Sequence, residues 1–249
     1  MTLAYEETGS GPLVVLVHST AADRGQWDPQ VPALTGAGFR VLRCDLRGFG
    51  GSPMPDAPYN EAKDVLELTG DETFALVGSS GGGQVALEIA ARWPHRVFAL
   101  ALLNTAKAGL SRSAGPELRA FWDSENALME AGDLGAAADL NATTWLGPSA
   151  GPEAHAALRR MQLHAFEVQA AATDEPAAIN SRYDLTAITA PTLLVSGRHD
   201  FIDFREIAVE LTGLLPHASH VELDWAGHLP NMERPDEINR LLIDFLSKA

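Results

Sequence analysis

The chain has 249 residues, of which 46% are hydrophobic and 20% are charged. This ordinary globular composition excludes an intrinsically disordered chain, a collagen and a coiled coil. Lys and Arg total 18 against 33 Asp and Glu, so the formal net charge is −15. Because an acidic surface repels phosphate backbones and anionic membranes, we expect neither nucleic acid nor a membrane as a partner.

Cys44 is the only cysteine, which excludes an intrachain disulfide, and it lies in an apolar run typical of a packed strand. The N-terminus lacks the basic start and apolar core of a signal peptide. The longest strictly apolar run, 97–103, has seven residues, whereas a membrane-spanning helix needs about 20. We therefore expect a cytoplasmic protein. Metal-ligand spacings, phosphate loops and dinucleotide fingerprints are absent from the sequence, so we expect no cofactor and no metal.

Short β-type runs alternate with helical stretches along the chain. Four of the runs are almost continuously apolar, the pattern of parallel strands that are covered on both faces. The predicted strands are 13–18, 39–45, 74–78, 97–104, 192–197 and 219–224, with a weaker one at 2–8, and the clearest helices are 84–92, 207–215 and 236–246. This alternation predicts an α/β fold with an open, mostly parallel sheet of seven or eight strands flanked by helices.

The alternation stops between about residues 106 and 189. This segment is rich in Ala, Gly and Pro, carries scattered aromatic residues and contains no convincing strand. Since it lies between two predicted sheet strands, we interpret it as a helical excursion from the main domain, with an ordinary long crossover as the alternative. The predicted organisation is a core of 1–105 and 190–249 with a helical cap at 106–189.

A G-x-S-x-G motif lies in a strand–turn–helix context at GSSGG, residues 78–82. A nucleophile on such a sharp turn requires small residues two positions away on each side, and both flanks of Ser80 are glycine. A shift of the motif to Ser79 would place Val77 at one flank, where valine is too large. Ser80 is therefore the predicted nucleophile, at a helix N-terminus that favours developing negative charge.

A serine hydroxyl needs a base and a group that orients the base. In this architecture the order along the chain is Ser, acid, His. Asp200 lies in the turn after a late predicted strand, and His228 lies in a glycine-containing loop after the last one. We predict Asp200 as the acid and His228 as the base. The alternatives that remain open are Asp203 for the acid and His199 or His220 for the base.

Acyl transfer also requires donors to the oxyanion of the tetrahedral intermediate. The first predicted donor is the amide of Gly81, which follows the nucleophile. The second comes from the loop after the strand 13–18, where we favour the amide of Thr20 and leave Ser19 and Ala21 open.

The sequence resembles the α/β-hydrolase superfamily over nearly its whole length. The motifs that carry the resemblance are LVHS at 16–19, DLRGFGGS at 45–52, GSSGG at 78–82, GRHD at 197–200 and AGHLPNMERPDE at 226–237. The resemblance implies the α/β-hydrolase fold with an inserted helical cap, and an esterase-type triad of Ser80, Asp200 and His228. Within the superfamily, residues 26–50 and LLNTA at 102–106 resemble the 3-oxoadipate enol-lactonase and carboxylesterase group.

The function implied by this resemblance is hydrolysis of a small carboxylic ester or lactone through an acyl-enzyme on Ser80. Haloalkane dehalogenases and epoxide hydrolases have Asp at that position, so the serine excludes those branches. Alternatives that use the same residues are enol-lactonase-like lactone hydrolysis, C–C bond hydrolysis, acyl transfer and a small-molecule receptor that keeps the triad. The sequence departs from the superfamily at Ser19, where Gly is usual, and at Ser79, where His is commoner.

The substrate pocket is expected between the carboxyl edge of the sheet and the cap. The candidate lining residues are Ser19, Trp122, Trp145 and Phe166. The three aromatic residues, together with Met129, Met161 and Leu163, predict a mainly apolar pocket. A dicarboxylate-derived enol-lactone would also need a cation for its free carboxylate. Arg24, Lys107 and Arg182 are the candidates for that cation, although no basic cluster stands out.

Overall fold

The structure is a computed structural model that describes residues 2–173, 176–179 and 181–249, with no description of the side chains of residues 111 and 112. Within these ranges, a seven-stranded sheet has the order β1-β3-β2-β4-β5-β6-β7. β1 runs antiparallel to β3, and the other five neighbouring pairs are parallel. The strands are β1 (Tyr5–Gly9), β2 (Leu13–Val17), β3 (Arg40–Cys44), β4 (Phe74–Ser79), β5 (Val97–Leu103), β6 (Thr192–Gly197) and β7 (Ala218–Leu223). The predicted α/β fold is confirmed.

Helices cover both faces of the sheet, which explains why every residue of β2, β4 and β6 is buried. One face packs against α1 (Gln30–Gly36) and α10 (Pro235–Leu246). The other packs against α2 (Glu61–Leu68), α3 (Gly81–Arg92) and α8 (Ile202–Leu214). A strand between two apolar layers has no polar face, which accounts for the continuous apolar runs in the sequence. In the described part of the chain, no helix combines the length and the hydropathy needed to cross a bilayer.

The segment between β5 and β6 is helical. It contains α4 (Leu110–Ser113), α5 (Pro116–Glu130), α6 (Leu134–Trp145) and α7 (Pro152–Ala170), and we call these four helices the insertion. α6 and α7 pack through Ala137, Ala138 and Phe166. The described residues of 106–189 contain no β-strand. One isolated β-bridge in the described chain joins Ala178, in this segment, to Tyr59 outside it. The division of the chain into a core and a cap with the predicted boundaries stays a prediction.

Cys44 is a packed strand residue, as predicted. It ends β3 with no exposed surface, and burial raises the pKa of its thiol to about 12. The next residue, Asp45, accepts hydrogen bonds from the amides of Arg24 and Gly51, each at 2.8 Å. The loop that follows β3 is thereby fixed next to the loop that follows β2.

Candidate active site

Ser80 lies on a sharp turn between β4 and α3, with φ 51° and ψ −118°. This left-handed conformation is strained for a residue with a side chain. The turn closes only because its flanks are glycines: a Cβ on Gly78 would lie 2.6 Å from the carbonyl oxygen of Gly82, and a Cβ on Gly82 would lie 2.3 Å from that of His18. The structure thus places Ser80 at the N-terminus of α3, where the helix dipole favours negative charge.

The backbone of Ser80 is held by the end of β5. Its amide donates to the carbonyl oxygen of Leu103 at 3.0 Å, and its own carbonyl oxygen accepts from the amide of Ala106 at 2.9 Å. The strained turn is therefore supported on both sides, while 6% of the residue's surface remains accessible.

His228 and Asp200 form a buried pair. His228 Nδ1 donates to Asp200 Oδ2 at 2.7 Å, and each side chain is only 1% exposed. The other carboxylate oxygen, Oδ1, accepts from the amide of Phe201 at 2.8 Å. Burial raises the pKa of Asp200, and the contact with His228 opposes that shift. Because the proton of the neutral imidazole is on Nδ1, Nε2 carries the free lone pair that a general base requires.

The third contact of the predicted triad is not formed in the structure. His228 Nε2 is buried and has no hydrogen-bond partner among the described residues, so Ser80 Oγ does not bond to it. Both side chains line the same cavity. Catalytic hydrogen bonds are often long without substrate and tighten when it binds.

Aromatic rings hold the imidazole of His228 in place. The ring centroid of Trp145 lies 4.4 Å from that of His228, and the ring centroid of Phe204 lies 4.3 Å from it. The amide of His228 also donates to the carbonyl oxygen of Trp145 at 2.9 Å. The insertion therefore helps to position the predicted base.

The alternative acid and bases lie elsewhere. Asp203 Oδ1 accepts from the amide of Gly115 at 2.5 Å, which fixes the start of α5 to α8. His199 is exposed, and His220, in β7, contacts the Ser196 hydroxyl at 2.7 Å. Of the predicted acids, Asp200 is the one that the structure joins to His228.

The two residues that carry the predicted oxyanion donors lie close together. A Cβ on Gly81 would lie 2.6 Å from Thr20 Cγ2, so the loop after β2 directly contacts the N-terminus of α3. The amide of Ser19 donates to Gln26 Oε1 at 2.8 Å, and the amide of Ala21 donates to Ser19 Oγ at 3.1 Å. Within the described chain the amide of Thr20 has no acceptor, which favours it over both alternatives.

Asn104 is a positioning residue that the sequence reasoning did not identify. Its side-chain Nδ2 donates to the carbonyl oxygens of Gly227 at 3.1 Å and of His228 at 2.9 Å. Its Oδ1 accepts from the amide of Gly197, at the end of β6, at 2.8 Å. The only signal in the sequence is a polar residue directly after an apolar strand.

Glu233, in α9 (Pro230–Glu233), is a second positioning residue that the sequence reasoning missed. Its buried carboxylate accepts from the amide of Gly227 at 2.9 Å. Burial raises the pKa of Glu233, and the backbone donors around it oppose that shift. Glu233 therefore ties the loop of His228 to α9, whereas Asn104 ties it to the end of β5.

A cavity of about 250 Å³ opens next to Ser80 and His228. All four predicted lining residues contribute to it: Ser19, Trp122, Trp145 and Phe166. The expectation of a mainly apolar pocket was wrong, because polar side chains from the insertion also line it, namely Glu125, Asn141, Gln162 and Gln169. Met129 and Leu163 instead pack inside the insertion, and Met161 belongs to the large core.

The candidate cations do not reach this cavity. Arg24 pairs with Asp45 and Glu6, Lys107 pairs with Glu210, and Arg182 is exposed. Among the residues that the structure describes, no Lys or Arg lines the cavity, and no group of three His, Cys, Asp or Glu side chains could hold a metal.

Comparisons with known proteins agree with this architecture. The family model for the alpha/beta hydrolase fold matches residues 12–235. The protein named "Putative carbamate hydrolase RutD" from Variovorax paradoxus (strain S110) is 33% identical over 271 residues, which cover 100% of this chain and 97% of that protein.

Two solved structures resemble the chain over almost its full length. The enol-lactonase from Burkholderia xenovorans LB400 has a TM-score of 0.77 and 30% identity, covering 98% of this chain and 96% of that one. A thermophilic esterase from Thermogutta terrifontis has a TM-score of 0.79 and 29% identity, covering 99% and 93%. The resemblance seen in the motifs is confirmed: the chain belongs to the alpha/beta hydrolase fold family.

Proposed function

We propose that this hydrolase cleaves a small carboxylic ester or lactone through an acyl-enzyme on Ser80. The observation that carries the proposal is the state of His228. Asp200 holds its Nδ1, and its Nε2 is buried without a partner among the described residues. Ser80 lines the same cavity and lies on the sharp turn before α3.

In the proposed first step, Ser80 Oγ attacks the carbonyl carbon of the ester while its proton passes to His228 Nε2. The oxyanion of the tetrahedral intermediate accepts hydrogen bonds from the amides of Thr20 and Gly81. Asp200 stays ionised and stabilises the imidazolium. The C–O bond to the leaving group then breaks, and the leaving oxygen takes the proton from Nε2.

Hydrolysis of the acyl-enzyme repeats these steps with water as the nucleophile. His228 removes a proton from water as its oxygen attacks the acyl carbon, and the proton then returns to Ser80 Oγ as the acid leaves. In a lactone the leaving oxygen remains part of the same molecule, so the only product is a hydroxy acid.

The names of the similar proteins support an ester-type bond, since they are a carbamate hydrolase, an enol-lactonase and an esterase. The cavity argues against a substrate with a free carboxylate, because no Lys or Arg of the described chain lines it. We therefore favour an ester or lactone without a second acidic group over a dicarboxylate-derived enol-lactone.

The test is a time course of p-nitrophenyl acetate hydrolysis by the wild type, Ser80→Ala and Ser79→Ala. Ser79 is the matched control, because it is the neighbouring buried serine and its hydroxyl has no partner within the described residues. We expect steady multiple turnover in the wild type and in Ser79→Ala, and a loss of about 10³-fold or more in Ser80→Ala.

A single stoichiometric burst without turnover would instead support the receptor-like alternative. Activity that survives Ser80→Ala and disappears in Ser79→Ala would overturn the assignment of the nucleophile. Circular dichroism of each variant confirms that its fold is intact.

A further inference from the structure

Three polar side chains of the insertion form part of the cavity: Glu125 from α5, Asn141 from α6 and Gln162 from α7. We call these three residues the polar wall. Each comes from a different helix, so this part of the cavity exists only when the helices are packed together. Nothing in the proposed acyl transfer uses these residues.

Asn141 fixes the position of Glu125. Its Nδ2 donates to Glu125 Oε1 at 2.6 Å and to the carbonyl oxygen of Ala137 at 2.9 Å. Its Oδ1 accepts from Trp145 Nε1 at 2.8 Å. Both hydrogens of the Asn141 amide are therefore engaged, and Glu125 keeps one carboxylate oxygen for another donor.

Gln162 is the unsatisfied member of the polar wall. The residue is 3% exposed, and its Oε1 is buried with no hydrogen-bond partner in the described chain. Buried polar groups are almost always paired in native proteins, and an unpaired one beside a cavity is free to accept from water or from a ligand that displaces it. Glu125 and Gln162 both line the same cavity, and each has an acceptor oxygen that the described contacts leave available.

Two acceptors call for a group with two donors. A primary carboxamide has two N–H bonds and no charge, so it can donate to both side chains at little desolvation cost. A carboxylate offers no donor and is repelled by Glu125. An ammonium has donors and is attracted by Glu125, but the cost of removing its hydration shell offsets that attraction.

We propose that the polar wall binds a terminal carboxamide-type group on the acyl part of the substrate and selects against a free carboxylate. This inference rests on the proposed function for its substrate class, because it assigns a specificity determinant to the same site. Glu125 and Gln162 are its binding residues, and Asn141 is a positioning residue that acts through Glu125.

The test uses p-nitrophenyl monoesters that end in –CONH2, –COCH3 or –COO⁻, prepared at the chain lengths of glutaric, adipic and pimelic acid. The three end groups have nearly the same size and differ in donors and charge. At the best chain length we expect kcat/KM for the carboxamide to exceed that for the methyl ketone by about 10-fold. We expect the carboxylate to fall about 10-fold or more below the ketone. Rates in buffer alone are subtracted, and the buffer is mildly alkaline because burial raises the pKa of Glu125.

Variants identify the residues responsible. Gln162→Leu keeps the size of the side chain and removes its acceptor, so the ratio of carboxamide to ketone should fall several-fold. Glu125→Gln removes the charge, so the ratio of carboxylate to ketone should rise about 10-fold. Glu130→Gln is the matched control, because Glu130 is an exposed glutamate on the same helix. Equal rates for all three end groups, or ratios unchanged in both polar-wall variants, would overturn the inference.

A binding measurement separates this inference from the proposed chemistry. Hexanamide, 2-heptanone and hexanoate are titrated into Ser80→Ala, with tryptophan fluorescence as the readout because Trp122 and Trp145 line the cavity. We expect the lowest Kd for hexanamide and the highest for hexanoate. If that order holds while Ser80-dependent ester turnover is absent, the proposed function fails and the binding site stands. If Ser80-dependent turnover is present but the expected order of Kd values is not observed, the proposed binding site is refuted and the proposed function stands.

Discussion

Asn104 donates from Nδ2 to the carbonyl oxygen of His228 at 2.9 Å, and so connects the loop of the predicted base to the end of β5. The same side chain accepts from the amide of Gly197, three residues before Asp200. One buried amide therefore sets the position of the two loops that supply the acid and the base.

Asn104→Ala removes these contacts, and we expect kcat/KM to fall about 10²-fold, as misplacement of reacting groups by about 1 Å can cause. The free energy of unfolding should fall by about 2–3 kcal/mol because several buried hydrogen bonds are lost. Esterase kinetics and urea unfolding measure the two effects.

Asn104→Gly is the control for backbone strain, because Asn104 has a φ of 43° and glycine adopts that conformation freely. If the contacts matter, both variants lose activity, and the glycine variant is the more stable of the two. Full activity in Asn104→Ala would contradict the positioning role.

Asp200→Asn should lower kcat by about 10³–10⁴-fold, since an amide no longer stabilises the imidazolium or the required tautomer of His228. Asp203→Asn is the matched control, because it makes the same Asp-to-Asn change at the alternative acid, three positions further along the chain. It weakens the contact with the amide of Gly115, so it should reduce stability more than kcat. The two kcat values on p-nitrophenyl acetate decide between the acids, and the assignment of Asp200 is wrong if the larger loss belongs to Asp203→Asn.

Gly82→Ala should prevent correct closure of the turn at Ser80, because the new Cβ would lie 2.3 Å from the carbonyl oxygen of His18 and 2.5 Å from that of Val17. Backbone atoms cannot easily move away, so we expect a destabilisation of about 3 kcal/mol or more, or no folded protein. Gly36→Ala, in α1, is the control, since its Cβ would meet nothing within 4 Å. It should stabilise by about 0.5–1 kcal/mol, and thermal unfolding of both variants checks the contrast.

Cys44 should not react with Ellman's reagent in the native protein at about pH 8, where an ordinary thiol is partly ionised. Burial raises the pKa of this thiol to about 12, so almost none of the reactive thiolate forms. Unfolding in guanidinium should release one equivalent, because the chain has one cysteine. Rapid labelling of a protein that retains its native circular dichroism would refute this description of the β3 interior.

Glu61, in the first turn of α2, should make stability depend on pH. Burial raises its pKa to about 7, with Asp64 and Glu88 adding to the shift, whereas an unfolded Glu has a pKa of about 4.3. The helix dipole stabilises the ionised form of this carboxylate, but only by about 0.3–1 kcal/mol, so it does not cancel the effect of burial. The native state thus keeps this proton to higher pH than the unfolded state, so the stability linked to it is fully present below about pH 4 and is lost as the pH rises towards 7.

Glu61→Gln should therefore be more stable than the wild type at about pH 8, by about 1–3 kcal/mol, and this advantage should shrink towards pH 5. Glu67→Gln, an exposed acid on the same helix, serves as the control and should show no such trend. Urea unfolding across the pH range measures both variants, and parallel curves for Glu61→Gln and the wild type would rule out the linkage.

Ser80, Asp200 and His228 could be proposed from the sequence because each signal is local. A small-residue turn follows a strand, an acid follows a strand, and a histidine lies in a glycine-containing loop. The sheet could also be predicted from the sequence, since continuous apolar runs indicate strands that are buried on both faces. These features need no knowledge of which distant residues meet.

Asn104 and the polar wall could not be predicted, for a physical reason. Asn104 forms hydrogen bonds with Gly197 and His228, which are 93 and 124 positions further along the chain. One polar residue after a strand does not reveal such distant partners. Glu125 and Gln162 lie on helices that also carry exposed polar residues, and a helix pattern does not distinguish an internal cavity from water. The apolar reading of the pocket failed for this reason.

The contact between the insertion and the loop of His228 constrains how such enzymes can be recombined. The carbonyl oxygen of Trp145 accepts from the amide of His228, and a Cβ on Gly147 would lie 2.3 Å from the amide nitrogen of Gly227. In a chimera that receives the helical segment of another hydrolase, the backbone that contacts the loop of His228 comes from the other protein. Grafts should therefore exchange residues 145–147 and 226–233 as a pair, since the two backbone segments are in direct contact.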